Sequence, residues 1–195
     1  MEKIVELIEK EVFSRCQKYK EKTGSDDWTH TDKVTKYALE LAEMYNADKE
    51  IVALGALLHD ISDPSEYGDT GNHHIHSSGI AESLLSELNY PKERIEWVKN
   101  CVLNHRGSKA NPKNTAEEEC VADADALAHF ASIPSMFHFA YVTLNLSVED
   151  GKERIRRKFE NDYNKLSERT REVIKSKYDT MMDILFSDKV LELCK

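Results

Sequence analysis

Apolar residues along the chain recur every three to four positions almost throughout, and no stretch alternates apolar with polar or is rich in β-branched residues. That period puts the apolar side chains on one face of a helix and argues against sheet. The expected fold is therefore all-α. The spacing predicts helices over about residues 2–22, 28–46, 48–61, 76–88, 91–106, 116–131, 134–147, 149–165 and 168–187. The third, beginning IVALGALL, is apolar nearly all round and must be enclosed by its neighbours. Glycines punctuate the pattern: Gly24, Gly68, Gly71, Gly107 and Gly151 fall between helical stretches. Ser25, Asp26 or Asp27 can cap the second helix, Pro91 and Pro134 suit first turns, Pro64 ends the third helix, and Gly107 follows the fifth.

Composition narrows the class. A chain of 195 residues suits a single domain over 1–195, with 40% hydrophobic and 32% charged residues as in ordinary globular proteins. The longest apolar run, Ile51 to Leu58, is well short of the roughly 20 residues a membrane span needs. The opening MEKIVELIEKEVF intersperses Glu and Lys where a secretory leader is apolar, so a cytoplasmic location is expected. Cys16, Cys101, Cys120 and Cys194 form no C-x-x-C pair, which fits reduced thiols and leaves no thiolate zinc knot. The net charge of -9 opposes broad nucleic-acid binding. The basic run Lys152, Arg154, Arg156, Arg157 and Lys158 shares an amphipathic helix with Ile155, Phe159 and Tyr163, and reads as a solvated face.

Candidate chemistry comes from polar residues that interrupt apolar stripes. His30 lies one turn before Val34 on the stripe of Val34, Tyr37, Ala38 and Leu41. The apolar third helix ends in His59 and Asp60. His76 precedes Ile80 and Leu84, His105 continues Ile95, Val98 and Val102, and Asp125 shares a face with Val121 and Ala128. One buried histidine is ordinarily a hydrogen-bonded core residue. Several histidines and carboxylates repeating the pattern instead make a ligand set for a divalent transition metal, because an unpaired buried carboxylate needs a cation beside it. Asp123 lies about 200° around the helix from Asp125, so only one of the two can aim at a common point.

His30, His59-Asp60 and Asp125, in the contexts DWTH, ALLHDI and VADADAL, resemble the H…HD…D signature of the HD superfamily of metal-dependent phosphohydrolases. The resemblance covers about residues 25–131, with helices of 134–187 expected to pack on that region, and YNKLSERT also looks similar to a small stand-alone branch. It implies one metal on His30, His59, Asp60 and Asp125. The segments HSSGIA and NHRG resemble those that add a second ion, which implies a dinuclear site with His76 and His105 on the second ion and Asp60 bridging. A mononuclear site stays open. His73 and His74 compete with His76, which is preferred because it continues the stripe. His129 and His138 are assigned to packing. Mn, Fe, Co, Ni or Zn are the expected ions, with Mg possible.

The implied activity is hydrolysis of a phosphoester or phosphoanhydride in a small phosphorylated substrate, with a nucleotide expected. Asp60 is implied in catalysis. Asp63, one turn on, is a candidate general acid or base, and Lys33, Arg106 and Lys109 are candidates to grip phosphate. Lys33 stands where related sequences carry Arg, and RGSKANP replaces a serine-rich turn. An HD-type di-iron oxygenase and a non-catalytic nucleotide sensor are the alternative readings; the oligomeric state is left open.

Overall fold

The structure is a computed structural model that describes residues 2–62, 71–106 and 112–187. Among these residues the regular elements are helices only: α1 (Glu2–Thr23), α2 (Asp27–Tyr45), α3 (Lys49–Leu58), α4 (His73–Glu87), α5 (Lys92–Asn104), α6 (Ala116–Phe130), α7 (Ile133–His138), a π turn (Phe139–Thr143), α8 (Val148–Lys165) and α9 (Glu168–Phe186). The all-α expectation holds. No described helix is long and apolar enough to cross a membrane. Asp63, Pro64, Gly68, Gly107, Lys109 and Cys194 lie outside the described residues.

Helix limits follow local chemistry. Asp26 caps α2 by accepting from the Thr29 amide, and Asp48 caps α3 by accepting from Glu50 and Ile51. Asn46, at φ 54°, closes α2 in the left-handed region that asparagine tolerates. Two limits differ from expectation. The fourth helix begins at His73 rather than at 76. The seventh stops at His138 and passes into the π turn, where a helix over 134–147 was expected.

The chain forms two compact units, Met1–Ala128 and His129–Lys195. In the first, every residue from Ile51 to Leu58 is buried, so α3 is the axis of the core. Ile8, Val12 and Cys16 of α1, Val34, Ala38 and Leu41 of α2, Val98, Cys101 and Val102 of α5, and Val121 and Ala124 of α6 belong to the same apolar cluster. Gly55 permits the close crossing of α3 over its neighbours: a Cβ there would meet Cys101 Cβ at 2.7 Å and Val121 Cγ2 at 3.2 Å. The start of α3 is tied to α5 by a polar network. Arg94 donates to both Asp48 oxygens at 3.0 and 3.1 Å and to Glu50, while Tyr90 donates to Glu50 at 2.6 Å. With its middle buried and its start anchored, α3 delivers its C-terminal His59 and Asp60 to a fixed place.

The second unit packs aromatic and aliphatic side chains around Ala140, Ile155 and Phe159. Gly151 lies inside α8, not between helices as expected, and a Cβ there would overlap the Tyr141 ring. The basic run on α8 is indeed a surface face: Arg156 pairs with Glu153 and Glu160, and Arg157 with Glu153. His129 does more than pack, since it lies 3.1 Å from the buried Asp162, which also accepts from Lys158 at 2.8 Å.

Candidate metal centre

The helices of the first unit bring six imidazole and carboxylate side chains together. His30 comes from α2, His59 and Asp60 from the end of α3, His73 from the start of α4, His105 from the end of α5 and Asp125 from α6. His30, His59 and Asp60 form one group whose ligand atoms lie within 4.8 Å of one another; Asp60, His73 and His105 form a second. Asp60 belongs to both. Its Oδ2 lies 3.4 Å from His59 Nε2, and its Oδ1 lies 3.2 Å from His73 Nε2 and 3.4 Å from His105 Nε2. The two imidazole nitrogens of His73 and His105 are 3.2 Å apart. Asp125 Oδ1 stands 3.3 Å from His30 Nε2.

Two of the rings are set by their own helices. His59 Nδ1 donates to the Ala56 carbonyl at 2.7 Å, and His105 Nδ1 donates to the Val102 carbonyl at 2.6 Å. A carbonyl only accepts, so the proton sits on Nδ1, and in the neutral ring Nε2 presents its lone pair to the cluster. This is how metal-binding imidazoles are commonly oriented. His59 is 0% exposed and His105 3%. His59 Nε2 and Asp60 Oδ1 are buried without a hydrogen-bond partner. Leaving such atoms unpaired costs free energy that a cation would recover. The donor set, imidazole nitrogen with carboxylate oxygen, suits borderline divalent ions, and the residues fit one or two of them.

Charge in the cluster is strongly coupled. Burial alone would lower the His59 imidazole, but the Asp60 carboxylate outweighs it and raises His59 to about 9. Burial pushes His105 down to about 4, against the opposing pull of Asp60. Asp60 is held well below the ordinary carboxylate range: burial opposes this, and His59 and His105 overcome it. At neutral pH the metal-free His59 imidazole is held protonated by the charge of the Asp60 carboxylate. Metal binding must displace that proton.

The join between α3 and α4 explains a difference from the sequence expectation. Ser62 donates its amide to Ser77 Oγ at 3.1 Å and its hydroxyl to the His73 carbonyl at 3.0 Å. This stitch lays the first turn of α4 against the end of α3, and because α4 begins at His73, that residue shares a face with Ser77, Ile80 and Leu84. His73 therefore takes the place in the second group that was expected of His76. His76 instead lines a cavity between α1 and α4. The extra histidine next to a glycine-bounded loop was visible in the sequence, but the helix start that gives it a role was not.

Other expectations can be placed as well. Asp123 is fully buried and paired with Lys113 at 2.8 Å, so of the two aspartates on α6 it is Asp125 that reaches the cluster. His105 is steadied from the side, since the preceding Asn104 donates to buried Glu118 at 2.9 Å, and Glu118 also accepts the Asn114 amide at 2.9 Å. Arg106 is exposed and donates to the Gly71 carbonyl at 2.8 Å, next to the start of α4. Lys33 is half-buried on α2. Neither joins a metal group.

Comparison with known proteins shows which family shares this arrangement. The model of the HD domain matches residues 27–129, a span that includes His30, His59, Asp60, His73, His105 and Asp125. The chain belongs to the HD-domain family. The matched HD region closes next to the limit of the first compact unit. An uncharacterized protein of Clostridium beijerinckii is 35% identical over 72 residues, which is 37% of this chain and 46% of that relative, so the match spans under half of its length. The fold is similar to the crystal structure of a predicted HD superfamily hydrolase from an uncultured Thermotogales bacterium, with a TM-score of 0.55 and 21% identity over 88% of this chain and 91% of that one. At that identity the likeness is one of HD fold.

Proposed function

We propose that this HD-domain protein is a metal-dependent phosphohydrolase that cleaves a phosphoester or phosphoanhydride bond in a small phosphorylated substrate, with nucleotides among the candidates. The observation that carries the reading is the sharing of Asp60 between two groups of donors, with His59 Nε2 and Asp60 Oδ1 left without hydrogen bonds. His30, His59, Asp60 and Asp125 would hold one divalent ion, and His73, His105 and the second oxygen of Asp60 another. Ions bound there would lower the pKa of water towards neutrality and neutralise phosphoryl oxygens.

The protein's own part is orientation. The carbonyls of Ala56 and Val102 fix two imidazoles, so little reorganises when substrate arrives. Arg106, held by the Gly71 carbonyl beside α4, and Lys33 supply positive charge for a phosphate in an otherwise acidic protein. Lys109 as a phosphate contact and Asp63 as general acid or base complete the assignment, together with a cytoplasmic setting.

The test is phosphate release without oxygen. Protein loaded with Mn, Co or Zn should liberate phosphate or a nucleotide from a panel of phosphomonoesters, dinucleoside polyphosphates and cyclic nucleotides under anaerobic conditions. Turnover that requires iron, consumes oxygen and releases no phosphate would overturn the reading in favour of an oxygenase.

A further inference from the structure

Thr115-Ala116-Glu117-Glu118, at the start of α6, has the form of a capping box: a hydroxyl caps the helix, and a glutamate three residues on reaches back to a backbone amide. Both halves are present. The Glu118 amide donates to Thr115 Oγ1 at 3.3 Å, and Glu118 Oε2 accepts the Asn114 amide at 2.9 Å. A cap alone does not require burial, yet Glu118 is only 3% exposed. A carboxylate withdrawn from water is costly unless hydrogen bonds satisfy it. The same Oε2 takes a further bond from outside its own helix, from Asn104 Nδ2 at 2.9 Å. Asn104 is the last residue of α5, and His105 follows it.

The end of α5 is where such an anchor matters. The last turn of a helix lacks the following turn that would hold its carbonyls, and it frays. The His105 ring is oriented by the Val102 carbonyl of that same turn, so ring and turn move together. The bond from Asn104 to Glu118 ties the turn to α6. On α6, Asp125 lies seven residues after Glu118, two turns along and within about 20° around the axis. The helix face that presents Asp125 to one donor group therefore holds, two turns earlier, the segment that presents His105 to the other. We infer that Glu118 is a positioning residue for the second ion: acting through Asn104, it keeps His105 Nε2 at its place 3.2 Å from His73 Nε2 and 3.4 Å from Asp60 Oδ1, where the three can share that ion. This rests on the metal-dependent reading and adds to it a residue that is not itself a ligand.

The experiment compares variants of the full chain by competitive titration of Co(II) against a chelator, with elemental analysis for stoichiometry and the visible Co(II) spectrum for site geometry. Asn104→Ala cuts the tie and spares the α6 cap, Glu118→Ala removes both, and Thr115→Ala weakens the cap and spares the tie. The first two should weaken the second ion about 10- to 100-fold and alter its Co(II) spectrum, while the first ion stays within about twofold. Thr115→Ala should leave both affinities unchanged. Glu118→Gln, which keeps an acceptor oxygen for Asn104, should recover most of the loss. If Glu118→Ala folds poorly, Asn104→Ala carries the test alone. A parent protein with two ions, the second bound equally well without the Asn104 side chain, would overturn the positioning role and leave the metal reading standing. Equal weakening in Thr115→Ala would also overturn it, because the cap rather than the tie would then govern the site. A parent protein holding fewer than two ions would remove the second group, and this role with it.

Discussion

Asp60 links the two donor groups because its two oxygens face different partners, Oδ2 toward His59 and Oδ1 toward His73 and His105. Removing it should therefore empty both metal groups, while Asp123→Asn, which alters the neighbouring pair with Lys113, should not. Asp60→Ala and His59→Ala are expected to weaken metal retention at least about 100-fold, measured by elemental analysis after dialysis. Full occupancy in both would remove the assignment. Protons give a second test. In metal-free protein His59 is raised to about 9, so its stabilisation is fully present below its unfolded value of 6.5 and is lost as pH rises through 9. His105 is lowered to about 4, so its contribution is present above 6.5 and is lost as pH falls through 4. Asp60, also depressed, acts in the same direction as His105 on the acid side. The melting temperature of the metal-free protein should accordingly peak near pH 6.5. Metal affinity should instead keep rising above that pH, as His59 gives up its proton. A flat thermal profile between pH 4 and 9 would contradict the charge state described.

At the level of elements, α3 and α4 decide the second group. The apolar α3 is fixed along its length by burial and at its start by Asp48 and Arg94, so its last residues have little freedom. The Ser62 and Ser77 hydroxyls then set where α4 begins relative to α3. His73→Ala should reduce the metal content from about two ions per chain to about one, leaving the group of His30 and His59 loaded. His76→Ala should leave the stoichiometry unchanged, because His76 faces the cavity. The opposite pattern, metal lost with His76 and retained without His73, would restore the assignment expected from the helical stripe.

For the whole molecule, a metal site built from five helices would couple metal to the stability of the first unit. With free metal near 100 times Kd, binding adds about 2.7 kcal/mol, and chelation should lower the melting temperature by roughly 5–10 °C. The same treatment of Asp60→Ala should produce no further fall. Much of this was legible in the amino-acid pattern. Apolar periodicity determined the all-α class, and the burial of Ile51 to Leu58 in α3 followed from that run being apolar on every side. His30, His59, Asp60, His105 and Asp125, which the fold brings close together, were singled out because each breaks such a stripe, and a polar group on a buried face has to be accounted for by a partner or a ligand. Tertiary structure alone decided which residues meet. His73 could not be separated from His74 and His76 by spacing, because its position depends on two serine hydroxyls fifteen residues apart that seat α4 against α3. Gly151 read as a break, but packing against the Tyr141 ring places it inside a helix. The cavity left no periodic signal at all, since it is the space between two helices whose separation is set by the elements packed around them. Local pattern specifies which face of a helix avoids water. The neighbour that covers that face, or leaves it open, is chosen by the fold.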